Sequence, residues 1–144
     1  MGAAEELFKK GYNCAQSVFC AHCEKFGIDF ETGLKLASSF GGGMGRMREV
    51  CGAVSAIFML IGLKEGYTSF DDDKAKEKHY AKIQDMANKF KNKFGSIICR
   101  ELLNLENGEN TLPKPTKRTP EFYQTRPCEQ FIKFASELIG KELD

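Results

Sequence analysis

Six cysteines punctuate the 144-residue chain, at positions 14, 20, 23, 51, 99 and 128. Thiols attack electrophiles, oxidise reversibly and bind soft metals, so these side chains carry the most distinctive chemistry in the sequence. Four of them recur in one local setting. Cys14 follows Asn13, Cys51 follows a glycine-rich stretch, Cys99 follows Ser96 and Cys128 follows Pro127, which places each in the first turns of an expected helix. The unpaired N–H groups and positive dipole end found there favour a thiolate and lower a thiol pKa from about 8.5. Cys51 is the leading candidate for an attacking thiolate. Arg46 and Arg48 precede it, and Gly41-Gly42-Gly43-Met44-Gly45 lets backbone amides converge nearby, while Glu49 offsets part of the positive field. The competing reading of Cys51 is a small apolar residue buried where a central helix meets its neighbours.

Cys20-Ala21-His22-Cys23 reads as a redox dithiol, a pair of zinc ligands or a c-type haem site. Haem attachment fails, because Glu24 stands where a histidine must follow the second cysteine. Zinc lacks a second Cys-x-x-Cys. On a helical wheel Cys14, Val18 and His22 share the apolar side, Cys23 lies at its flank and Cys20 roughly opposite, so Cys20 and Cys23 are read as secondary. His22 is expected to be a packed, hydrogen-bonded histidine and His79 a surface one. With only two histidines and no Ser-His-acid or Cys-His constellation, hydrolytic chemistry has little support. The glycine stretch follows a helix rather than a strand and matches no phosphate-binding signature, so its expected role is to aim Cys51.

Composition bounds what these thiols can serve. The length fits one domain, expected over residues 1–144, and 42% hydrophobic residues with 12 Phe suffice for a core. Twenty-one Lys and Arg against 20 Asp and Glu leave a net charge of +1, which argues against nucleic acid or anionic lipid as partners. Acidic residues stand where a signal peptide needs basic ones, and the apolar run from Ala53 to Leu63 is too short to cross a bilayer. A cytoplasmic location is expected. Structural disulfides rarely persist there, which turns the cysteine count toward redox chemistry or metal binding.

No stretch alternates at period two, whereas several repeat at three and four, so the expected fold is all-α: a compact bundle of six or seven helices around a central apolar one. The expected elements are residues 3–10 closed by Gly11, a helix capped by Asn13 and running to Phe26 before Gly27, and a short helix from Asp29 to Phe40. A continuous helix over 3–26 is the rival for the first two. The central helix is expected from about Arg48 to Leu63. Asp71 to Asp73 open the longest helix, with Tyr80, Ile83, Ala87, Phe90 and Phe94 inward and a lysine-rich solvated face, ending at Gly95. Ser96 is expected to cap a brief helix holding Cys99. All four prolines fall in an irregular crossing at about 107–127, and Pro127 starts a final helix with Cys128, Phe131, Ala135 and Leu138 on one face.

The run Gly11-Tyr12-Asn13-Cys14-Ala15-Gln16-Ser17-Val18, then Gly41 to Gly45, Cys51-Gly52-Ala53, Cys99 and Cys128, resembles the C_GCAxxG_C_C family of redox-active proteins. The resemblance spans nearly the whole chain and implies Cys14, Cys51, Cys99 and Cys128 as the functional set. Read against the family name, Val50 to Ser55 keeps the cysteine of Gly-Cys-Ala-x-x-Gly but neither glycine. What it implies is a general redox role, with no substrate named.

Three functions are therefore expected to compete. In the first, two or more of the four cysteines cycle between thiol and disulfide, Cys51 attacking and another resolving, with a redox partner or a small-molecule substrate. In the second, Cys14, Cys51, Cys99 and Cys128 ligate zinc or an iron–sulfur cluster, although none of them pairs with another at short spacing. In the third, the cysteines pack and a pocket under the glycine stretch binds a partner.

Overall fold

Residues 2–105 and 110–143 are described here from a computed structural model. Among them the chain forms eight α-helices, one 3-10 helix and no strand. The all-α expectation holds.

Local chemistry explains most helix boundaries. Helix α1 (Ala3–Lys10) carries Glu5 and Glu6 in its first turn and Lys9 and Lys10 in its last, matching the helix dipole. Gly11 ends it in the left-handed region (φ 117°), so residues 3–26 are not one helix. Asn13 and Gln16 form a reciprocal capping box at the start of α2 (Cys14–His22), and the chain then tightens into a 3-10 turn, Cys23–Phe26, before Gly27. Asp29 accepts from the backbone N–H of Thr32 to start α3 (Phe30–Ser38), which ends two residues before Phe40.

The central helix α4 spans Gly52–Glu65. It begins later than the apolar pattern implies because Arg48 takes a left-handed φ of 60°, which no right-handed helix admits. Helix α5 (Asp73–Phe94) is capped by Asp72 and stopped by Gly95. Cys99 opens the four-residue α6 (Cys99–Leu102), whose N-cap is Ile98 rather than Ser96. The Ser96 hydroxyl instead accepts from the Ile98 N–H and donates to Glu101. Within the proline-rich crossing, Thr119 caps a further helix, α7 (Pro120–Thr125), with Pro120 at its start. The expected irregular segment is thus helical near its end, and its residues 107–109 lie outside the described ones. Helix α8 is Cys128–Leu143.

Helix α4 is the hub: it packs on α2, α5 and α8, with Val54, Ile57, Leu60 and Ile61 fully buried. Phe90 and Phe94 of α5 meet Phe131 and Phe134 of α8 in tilted and edge-on contacts, and Lys82 pairs with Glu142 at 2.5 Å. The lysine-rich face of α5 is otherwise largely solvated, but the inward stripe stops short of Tyr80, which is 51% exposed and shares a hydroxyl hydrogen bond with Tyr67. On α8, Ile132 and Ile139 are fully buried as well as Ala135, widening the expected apolar face. No helix among the described residues is long and apolar enough to cross a membrane.

The crossing is tied down by Arg118. Its guanidinium donates to the carbonyls of Phe8 and Tyr12 at the end of α1 and lies 4.2 Å from the centre of the Phe8 ring. The Phe8 carbonyl already accepts from the Gly11 N–H at 3.0 Å, and the charged donor adds a second bond there and one to the Tyr12 carbonyl just past the helix. Arg118→Ala is expected to cost about 1–3 kcal/mol through the lost charged hydrogen bonds and ring contact, read as a fall in the urea midpoint at unchanged slope.

Candidate functional site

The glycine stretch forms something rarer than a turn. Gly42, Gly43, Met44, Gly45 and Arg46 have consecutive φ values of 64°, 72°, 66°, 57° and 66°, and Arg48 follows at 60°. Five successive residues thus wind left-handed. Each L-residue there costs about 1–2 kcal/mol, which accounts for the three glycines and leaves Met44, Arg46 and Arg48 to be held by other contacts. Backbone hydrogen bonds from Gly45 to Ser39, Arg46 to Gly41, Arg48 to Gly42 and Glu49 to Gly43, at 2.7–3.2 Å, close the coil on itself. The two arginine side chains anchor it to the crossing. Arg46 donates to the Leu112 carbonyl (2.8 Å) and the Thr116 hydroxyl (3.0 Å), and Arg48 Nε to the Asn110 carbonyl (3.1 Å).

Past the coil, an isolated antiparallel bridge joins Val50 to Ile98. The Cys51 N–H donates to the Ile97 carbonyl at 2.8 Å and the Cys99 N–H to the Glu49 carbonyl at 2.6 Å, fixing the starts of α4 and α6 side by side. The start of α2 wedges in beside them. A methyl group on Gly52 would lie 2.5 Å from Cys14 Sγ and 2.8 Å from the Phe40 carbonyl oxygen, so only a glycine next to Cys51 leaves room for that thiol. Cys128 arrives on the first turn of α8.

All four cysteines line one cavity of about 640 Å³, roofed in part by Pro113, Pro115 and Thr116 of the crossing. Cys14, Cys99 and Cys128 are each the first residue of a helix, and Cys51 is the N-cap of α4. Cys51 and Cys99 are buried, whereas Cys14 and Cys128 are half-buried and all six cysteines are free thiols.

Burial dominates their electrostatics. Desolvation pushes the Cys51 thiol well up, the neighbouring Cys14 adds to this, and the amides of Ala53 and Val54 pull the other way. Cys128 is pushed up to about 12 by burial, then by Cys14 and Cys99, with Arg126 and Arg48 opposing. Cys99 is also raised by burial, but Arg48 opposes this directly, its Nη1 donating to Cys99 Sγ at 3.7 Å. The arginines that precede Cys51 in sequence therefore act elsewhere: Arg48 on Cys99, Arg46 on the crossing. Cys14 is the thiol whose charge acts on each of the other three.

Cys20 and Cys23 lie outside this cavity. Cys20 is 5% exposed rather than on an open face, because α3 covers the second side of α2; a methyl group on Gly33 would lie 3.1 Å from its sulfur and 2.8 Å from that of Cys23. Burial raises Cys20 to about 12, with the hydrogen-bonded Cys23 thiol adding to it. His22 is packed as expected, its Nε2 2.9 Å from the Ser136 hydroxyl. His79 is half-buried against Tyr67, with ring centres 5.9 Å apart, instead of standing free at the surface.

Arg118 and Arg126 also line the cavity and were not legible as site residues, although Arg126 stands two positions before Cys128. Among the described residues, no three His, Cys, Asp or Glu side chains gather in a way that could hold a metal ion. The four-thiolate ligand set does not fit this arrangement.

A family model described as "putative redox-active protein (C_GCAxxG_C_C)" matches residues 12–141 of the chain. No curated protein and no solved structure matches it.

Proposed function

The chain belongs to the C_GCAxxG_C_C family of redox-active proteins, and from that premise we propose that Cys14, Cys51, Cys99 and Cys128 exchange between thiol and disulfide inside the shared cavity. The observation that carries this reading is the convergence of four thiols, from four separate helix starts, on one opening. In the half-reaction two thiols lose two electrons and two protons as one S–S bond forms, and the substrate takes them up.

Roles follow from access. Cys14 and Cys128 are the two half-buried thiols, and of these Cys14, which touches Gly52 beside Cys51 and acts on all three other thiols, is assigned as the first to meet substrate. Cys51, buried and with neither arginine on its sulfur, resolves the mixed disulfide rather than attacking first. Arg48 supports Cys99 as leaving or attacking thiolate in a second pair with Cys128. The reducing cytoplasm is the compartment in which such free thiols persist.

Mild oxidation of the reduced protein followed by mass-spectrometric disulfide mapping tests this. A Cys14–Cys51 bond is expected first, with Cys20 and Cys23 still reduced, and Cys14→Ser is expected to slow oxidation of the remaining cavity thiols at least about tenfold, as for removal of an attacking thiolate. Absence of any reproducible bond among the four, or Cys20–Cys23 as the first bond, rejects the reading.

A further inference from the structure

Four of the five arginines in the sequence, Arg46, Arg48, Arg118 and Arg126, line the thiol cavity, and no Asp or Glu among the described residues does. With a net charge of only +1, this segregation is not a consequence of composition. The fifth, Arg100, pairs with Glu49.

Arg48 is the decisive side chain. It is 4% exposed, spends Nε on Asn110 and Nη1 on Cys99, and holds Nη2 buried with no hydrogen-bond partner. A buried cationic donor facing a cavity with no carboxylate among its described lining residues is incomplete by the ordinary rule that such groups are paired. Arg46 reports the same crowding: burial, then the charges of Arg48 and Arg126, hold its guanidinium below the usual range.

We infer that the cavity receives a small anionic molecule, whose carboxylate or other oxyanion group pairs with Arg48, flanked by Arg46 and Arg126, while its thiol-reactive part lies among the four sulfurs. The inference rests on the thiol reading above and adds the charge of the substrate. A planar guanidinium with a free edge suits a carboxylate or similar oxyanion. The volume suits a molecule of drug-like size or smaller. For an anionic disulfide the exchange balances. A Cys14 thiolate displaces one half as a thiolate, a second cavity thiolate displaces the other, and the two protein thiols become one disulfide as two substrate thiols are released.

The test compares dianionic 5,5′-dithiobis(2-nitrobenzoate), neutral 4,4′-dithiodipyridine and dicationic cystamine, each rate normalised to that with 2-mercaptoethanol. The dianion is expected to be favoured, and Arg48→Gln to lower the ratio of the dianion's rate to the neutral reagent's roughly tenfold or more, since any loss of its support for Cys99 slows both reagents alike. Arg126→Gln gives the same sign if Arg48→Gln does not fold. In the unaltered protein, isophthalate, a dianion that cannot oxidise thiols, is expected to slow labelling of Cys14 by neutral iodoacetamide. Equal normalised rates for dianion and cation, or no effect of isophthalate, overturn the inference. If the neutral disulfide also fails to oxidise any cavity pair, the thiol reading itself fails; if it succeeds without a charge preference, only the anionic substrate is lost.

Discussion

Gly43→Ala should cost about 3 kcal/mol, through left-handed backbone strain and overpacking together, and should uncouple Arg48 from Cys99. The added methyl would lie 2.6 Å from the Cys99 Cβ, 2.8 Å from the Arg48 Cα and 2.8 Å from the Glu49 nitrogen. Two of those atoms are backbone and cannot swing aside. The φ of +72° adds a conformational cost of its own. Gly45→Ala separates the two effects: its φ is +57°, but the nearest atom, the Ser39 carbonyl oxygen, is 3.9 Å away. That variant should lose only the backbone share, about 1–2 kcal/mol. Urea unfolding of both, under reducing conditions, gives the comparison. Equal losses would mean that Gly43 is not wedged between Cys99 and the coil, and a loss under about 1 kcal/mol for Gly43→Ala would reject the left-handed geometry.

Signals confined to one turn of chain were legible. Asn13, Asp29 and Asp72 each accept from an N–H three residues on, a local event that residue type and position announce. The all-round apolar character of α4 announced the central helix in the same way. Even the placement of four cysteines at helix starts follows from neighbours within a few positions. What escaped depends on partners far along the chain. Cys20 looked open because a wheel drawn for α2 alone contains no α3, and it is α3 that seals the opposite face. The arginines looked like companions of Cys51 because sequence distance stood in for spatial distance; the Val50–Ile98 bridge brings Cys99 beside Arg48 instead. Helix α7 was hidden differently. Thr119-Pro120 is a good helix start, but the prolines around it read as continuous disruption.

The same separation of local from tertiary effects decides the thiol electrostatics. Helix starts favour a thiolate by typically 0.3–1 kcal/mol at exposed sites, whereas burial of a charge costs more unless it is paired. At Cys51, Cys99 and Cys128 burial wins. A reactive thiolate there depends on what the arginines and the incoming substrate supply, which links the thiol reading to the anionic one: Arg48 touches Cys99 with one nitrogen and keeps another free.

Stability should fall steeply as pH rises from 8 to 10, and the sign comes from those thiols. Cys20 and Cys128 are both raised to about 12 by burial, while in the unfolded chain a thiol titrates near 8.5. Above that value the unfolded chain loses protons that the folded protein keeps, so unfolding is favoured by about 1.4 kcal/mol per thiol per pH unit. Between pH 9 and 10 the two together should remove about 2.5 kcal/mol, a large share of the 5–15 kcal/mol typical of a domain. Cys23, Cys51 and Cys99 shift in the same direction and add to it. Lys82 is raised by its hydrogen bond to Glu142, so its contribution is complete below the ordinary lysine pKa and is lost only above this window. Urea midpoints measured at half-unit steps in the presence of a phosphine reductant follow the effect. Cys20→Ala removes one titrating thiol from the core and should flatten the slope by about 1.4 kcal/mol per pH unit, without touching the cavity. A stability profile level from pH 8 to 10 would show that these thiols ionise as readily in the folded protein as in the unfolded chain, and would remove burial as the force that keeps them protonated.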